Sequence, residues 1–247
     1  MSSAKSTVTN ALTQGEGILH LAPNWVPRFF AVPGARIGLA REDLYSFGTN
    51  RGGIDERWLA STTQPDNGPE MEENEGLSEI AGPDGERVLL KDAVDEMPDE
   101  LIGREMYDKW GRWPTLGKLF DNTGPLPMHI HPMKEHAALV GEAHKPEAYY
   151  FPPQYNQILH EFPHTYFGLN PGTTKEDVVR CLERWNEGEN GILDHSRAYR
   201  IKVGEDGGWM MPPGVLHAPA SAVTYEIQWG TDTFAMFQSL VNDMAIP

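Results

Sequence analysis

Short apolar runs separated by turn residues recur along most of the chain, and this pattern predicts strands more often than helices. Between Trp25 and Leu59, Phe29-Phe30-Ala31-Val32 and, after Gly52-Gly53, Ile54-Asp55-Glu56-Arg57-Trp58 read as irregular strands. Leu116-Gly117-Lys118-Leu119-Phe120-Asp121 reads as a buried strand carrying one lysine, and Asp121-Asn122-Thr123-Gly124 as the turn into the next, Met128-His129-Ile130-His131. Tyr149-Tyr150-Phe151, Tyr199 to Val203, Trp209 to Met211 and Thr224 to Phe237 supply further strands, with Gly204-Glu205-Asp206-Gly207-Gly208 as a turn among them. Helical spacing is rarer. Two short helices are predicted over 92–110, each with acids near its start, and a clear one from Thr173 to Leu182. A Thr cap with an acid three residues on opens this last helix, and Gly188 and Gly191 follow it, so a helical insertion near 173–187 is expected. Residues 1–20, rich in Ser, Thr and Asn, predict a flexible amino-terminal tail.

Composition sharpens this reading. With 25 Gly and 20 Pro in 247 residues, the chain suits a turn-rich all-β architecture, and residues 21–247 are expected to form one domain. No run approaches the ~18 apolar residues of a membrane span, and the start of the sequence lacks a basic-then-apolar secretory pattern, so a soluble, cytoplasmic protein is expected. The formal net charge of −16 argues against nucleic acid and anionic membrane as partners. It also disfavours phosphorylated ligands at long range, although lysines in a pocket can overcome a field that salt screens beyond about 10 Å. The single cysteine, Cys181, excludes an internal disulfide and a thiolate cluster, so any metal site must use nitrogen and oxygen.

The candidate chemistry lies in His129-Ile130-His131. On a strand, alternate side chains share a face, so this H-x-H pair turns two imidazoles the same way. A chance H-x-H is common in a chain with nine histidines, but two further elements raise its meaning. Glu147 opens the apolar run Tyr149-Tyr150-Phe151, where a carboxylate is costly unless it is paired or ligates a cation. His217 follows Pro212-Pro213-Gly214 at the head of another apolar segment. Neighbouring strands could bring all four groups together inside a barrel as a three-His, one-Glu metal site. Lys118, amid Leu and Phe, either snorkels to the surface or serves that site.

The order of these pieces resembles the type I mannose-6-phosphate isomerases, zinc enzymes of the cupin superfamily. The resemblance runs from about Gly52 onward, through Asp55-Glu56-Arg57-Trp58, Glu75-Gly76-Leu77-Ser78, Leu101-Ile102-Gly103 and Lys118-Leu119-Phe120. It continues through Leu126 to Pro132, Lys145-Pro146-Glu147, Tyr166-Phe167-Gly168-Leu169, Pro213 to Ala218, and Glu226-Ile227-Gln228 with Asp232. It implies a cupin jelly-roll β-barrel with peripheral α-helices, and it sets His131, Glu147 and His217 on zinc-ligand positions. Lys118, Lys145 and Glu226 fall on active-site positions. His129 stands where the family usually has glutamine, and Met236 where it carries an active-site arginine. The sequence also ends before the family's further C-terminal cupin region.

What the resemblance implies is an aldose-ketose isomerase working on a sugar or sugar phosphate through an enediol-like intermediate. One divalent ion is expected, with Zn the family's choice and a donor set equally compatible with Mn, Fe or Ni. Lys118 and Lys145 would neutralise oxyanion charge, and a lysine beside a cation is expected to have a lowered pKa suited to proton transfer. Glu226 is an alternative base, or a partner that orients His217 or pairs with a lysine. Two other readings stay open: a metal-dependent cupin oxygenase, and a sugar-binding cupin without turnover. The partner in each case is a small carbohydrate or similar molecule, and monomer or oligomer is left open.

Overall fold

The computed structural model describes residues 4–156, 163–188, 191–205, 207–220, 222–241 and 244–246. Fifteen strands are found among them. β1 (Asn24–Arg28), β2 (Gly53–Leu59), β3 (Glu79–Ala81), β4 (Arg87–Leu89), β5 (Thr115–Phe120), β6 (His129–Ile130) and β7 (Glu147–Tyr150) occupy the first part. β8 (His164–Leu169), β9 (Ser196–Arg200), β10 (Trp209–Met211), β11 (His217–Pro219), β12 (Thr224–Trp229), β13 (Ala235–Met236), β14 (Leu240–Val241) and β15 (Met244–Ala245) follow.

Two sheets carry the molecule. One has six strands in the order β1-β2-β5-β12-β7-β10, the other five in the order β13-β6-β11-β8-β9, and their ladders are antiparallel. The expected barrel is not closed by hydrogen bonds: among the described residues no ladder joins one sheet to the other. The sheets instead share a core, where Phe120, Tyr149 and Met211 of the larger sheet cluster with Phe167 of the smaller and with Phe151 and Ile201. Strand periodicity explains this filling. Residues two apart share a face, so Lys118 and Phe120, Glu147 and Tyr149, and Glu226 and Thr224 all turn inward and are buried, while Tyr150 and Ile227, each one residue further along its strand, are exposed.

Helices cover more of the chain than an all-β reading expected. Residues 90–110 form three helices instead of two, Leu90–Glu96, Pro98–Leu101 and Arg104–Trp110. The expected amino-terminal tail is instead a helix, Ala4–Gln14, with Val8 and Ala11 buried against Ile80, Leu90, Ala93 and Val94. Its apolar face is narrow, so packing against its neighbours accounts for it better than its own sequence does. The helix Lys175–Glu183 begins in a capping box between Thr174 and Asp177, as the Thr and acid spacing predicts. It turns Val178 and Cys181 onto Met128, Ile192, Leu216 and Ala218, directly behind the strands that bear the histidines. Among the described residues no helix is long and apolar enough to cross a membrane.

One close approach sets the edge of the larger sheet. Gly52 has φ of 77°, and a Cβ there would lie 2.0 Å from the Arg28 carbonyl oxygen, so only glycine lets β1 come this near the start of β2. That approach brings the Arg28 side chain over Glu56.

Candidate metal centre

His129 and His217 are direct cross-strand neighbours on β6 and β11, which places their rings 4.3 Å apart between centroids. His131, two residues along, turns to the same side, 5.1 Å from each of the other two rings. One nitrogen from each of the three lies within 4.8 Å of the others. Glu147 reaches them from the opposing sheet. Its Oε2 is 3.0 Å from His131 Nε2 and its Oε1 is 3.0 Å from His217 Nε2. The four residues singled out in the sequence therefore meet in one place, straddling the two sheets.

Every ring is turned the same way. His129 Nδ1 faces the Pro127 carbonyl at 2.7 Å, His131 Nδ1 that of Thr233 at 2.9 Å, and His217 Nδ1 that of Val215 at 2.9 Å. A carbonyl only accepts, so each ring carries a proton on Nδ1 and turns Nε2 into the centre. Burial holds His129 well below its ordinary value, helped by the two neighbouring imidazoles. Burial, together with the Lys145 charge, lowers His131 to about 4. Burial would raise Glu147, but Lys145 and then His131 outweigh it and hold the carboxyl well below the usual range.

The donor set suits a cation. The neutral His131 Nε2 facing the ionised Glu147 carboxylate is an acceptor facing an acceptor, and at 3.0 Å the two repel unless positive charge lies between them. His131 Nε2 and Glu147 Oε2 are both buried without a hydrogen-bond partner although they are so close. Two donors sharing one ion at about 2.1 Å each are about 3.0–3.4 Å apart at angles of 90–109°, so the observed spacing fits. Three nitrogens and a carboxylate match Zn, Mn, Fe or Ni.

A buried charged layer adjoins the four groups. The register pairs Lys118 of β5 with Glu226 of β12, and Lys118 Nζ lies 3.3 Å from Glu226 Oε1 and 3.7 Å from Glu56 Oε2. Lys145, two residues before Glu147 and on its face, lies 3.2 Å from Glu147 Oε2 and 3.7 Å from Glu226 Oε1. Lys118 does not snorkel: its side chain is 7% exposed. Nor is its pKa lowered as expected. Burial alone would lower it, but Glu226 and Glu56 outweigh burial and hold the ammonium well above its ordinary value. Glu226 moves the other way, raised to about 7 by burial and the Glu147 charge against the pull of the two lysines. It pairs with the two lysines, whereas His217 turns its Nδ1 and Nε2 to Val215 and Glu147.

Arg28, Glu56, Trp58, Tyr149 and Asp232 belong to this layer or brace it and carried no role in the sequence reading. Arg28 donates to Glu56 Oε1 at 2.8 Å and, through both terminal nitrogens, to Asp232 at 2.9 and 3.1 Å. Trp58 Nε1 donates to Glu56 Oε2 at 2.6 Å, and the Tyr149 hydroxyl to Glu147 Oε1 at 2.5 Å. The usable signal was strand period: Glu56 sits between Ile54 and Trp58 at inward positions, where an acid needs a partner. Met236, on β13 beside His129, lines the pocket in front of these groups with Phe30, Leu126 and Phe234.

No family model and no curated protein matches this sequence. Solved structures do. A candidate mannosephosphate isomerase from Archaeoglobus fulgidus is 18% identical with a TM-score of 0.64, covering 92% of this chain and 68% of that one. The mannose 6-phosphate isomerase of Bacillus subtilis is 21% identical with a TM-score of 0.59, covering 89% and 60%. A zinc-bound mannose 6-phosphate isomerase is 14% identical with a TM-score of 0.57, covering 88% and 69%. The chain thus shares the fold of these isomerases and spans only part of the length of each.

Proposed function

We propose that this protein is a divergent member of the mannose-6-phosphate isomerase family, on the cupin jelly-roll plan, and that it interconverts an aldose and a ketose. In this reading His129, His131, Glu147 and His217 hold one divalent ion, and Lys118, Lys145 and Glu226 act on the sugar. The observation that carries it is the meeting of three inward Nε2 atoms with Glu147, beside a second carboxylate set between two ammonium groups.

The reaction moves one proton between adjacent carbons and a second between their oxygens, with charge developing on those oxygens on the way. A bound divalent ion supplies Lewis acidity to those oxygens. Glu226 takes the proton from one carbon and returns it to the next, since a carboxyl raised to about 7 serves as base and acid near neutral pH. Lys118, kept protonated by its two carboxylates, donates a hydrogen bond to the oxygen where charge develops. Lys145 offers a second ammonium on the Glu147 side. Tyr149 holds Glu147, and the three carbonyls hold the rings. The high value of Lys118 favours Glu226 over that lysine as the group that transfers the proton.

The test is elemental analysis of the purified full chain beside an assay of aldose-ketose conversion with solvent-deuterium exchange at the sugar carbon. About one metal ion per chain and exchange into the sugar are expected. His131→Ala and Glu147→Ala are expected to lose metal and activity together. Unchanged metal content in both variants removes the ligand assignment.

A further inference from the structure

Each buried cation beside the candidate metal centre is already matched. Arg28 is held by Glu56 and Asp232, Lys118 by Glu226 and Glu56, and Lys145 by Glu147 and Glu226. The pocket in front of them encloses about 40 Å3, room for little more than one water-sized group. A sugar can therefore bring only its reacting end this deep. The remainder must lie in the adjoining cleft of about 580 Å3, which shares Asp232 and Phe234 with the pocket.

The lining of that cleft decides what the far end of the sugar can be. Arg112 is the one basic residue among the described residues that line it and is exposed, and Asp66, Glu142 and Asp232 line the same cleft. Thr63, Gln64, Thr231 and Thr233 supply groups that both donate and accept, as a sugar hydroxyl does. A phosphate dianion there would only accept, and would meet three lining carboxylates, Asp232 already paired with Arg28, for one exposed guanidinium in a chain of net charge −16. Phe234, at the junction with the pocket, and Met236, within the pocket, offer apolar surface to the C–H face of a sugar ring.

From this lining we infer that the substrate is an uncharged monosaccharide, its reacting end at the metal pocket and its remaining hydroxyls in the Thr-lined cleft, without a phosphate. This rests on the isomerase reading above, and the two can fail separately. Metal-loaded full chain is assayed on mannose, lyxose and fructose and on mannose and fructose 6-phosphates. The free sugar is expected to exceed its 6-phosphate in kcat/KM by about tenfold or more. A preference for the 6-phosphates overturns the inference and leaves the isomerase standing. If no sugar turns over, the isomerase reading fails and calorimetric binding decides the substrate class. Binding of mannose in preference to its 6-phosphate then supports the inference, and tighter binding of the phosphate, or binding of neither, overturns it. The exposed Glu142→Lys is expected to shift the ratio toward the 6-phosphates by about tenfold. An unchanged ratio means that the cleft does not receive the sugar, and the inference falls.

Discussion

The two ends of the space between the sheets are built by the same strands from opposite kinds of residue. β5 turns Lys118 toward one end and Phe120 toward the other, and β7 does the same with Glu147 and Tyr149. At the apolar end, Phe120, Tyr149, Phe151, Ile201 and Met211 stabilise the fold by burial, about 1.5–3 kcal/mol for each large side chain. At the polar end, the desolvation of Arg28, Glu56, Lys118, Lys145, Glu147, Glu226 and Asp232 cancels much of their mutual attraction, so such networks contribute little net stability. Packing keeps the first end, and chemistry accounts better for the second.

The sharpest way to separate the ends is Glu226→Gln, which keeps the side chain's volume and removes the titrating oxygen. Activity is expected to fall about 10²–10⁴-fold, with metal content unchanged. Loss of the metal would put Glu226 among the ligands and undo the division of roles. Phe120→Ala probes the other end. It is expected to cost about 3–5 kcal/mol in urea unfolding, by the same amount with and without chelator. A cost below about 1 kcal/mol would mean that the two ends do not differ in what they give the fold.

A smaller effect comes from Asp232. Burial would raise its carboxyl, but Arg28 outweighs burial and holds it at about 2, below its ordinary 3.8. Its contribution is therefore complete above pH 3.8 and is lost as pH falls toward 2, about 2 kcal/mol in all. The stability gap between the protein and Asp232→Asn is expected to narrow by that amount over this window. A gap independent of pH would detach Asp232 from Arg28. The smallest effect is Thr174→Ala, on the exposed side of the helix start, which removes a capping box and is expected to cost about 1 kcal/mol with activity unaltered.

The residues that meet at the centre were legible where a local rule pointed at them. His129 and His131 follow from strand period, Glu147 from a carboxylate heading an apolar run, and His217 from a histidine after a turn in the same setting. Arg28 and Asp232 were not, because their meaning depends on which segments lie side by side, and they are 204 positions apart. The same limit hid the open edges between the sheets: alternation tells which face a residue takes, not whether the last strand pairs with the first. The amino-terminal helix was masked by its composition, since Ser, Thr and Asn outnumber the two apolar positions that its neighbours bury.

The three imidazoles take their aim from main-chain oxygens at Pro127, Val215 and Thr233. An oxygen of the peptide backbone survives nearly any exchange of the side chain attached to it, so the steering of the rings is insulated from drift at those positions. Lineages can therefore rewrite the loops around such a centre almost freely, provided the path of the chain persists. An engineer redrawing the cleft inherits the same freedom.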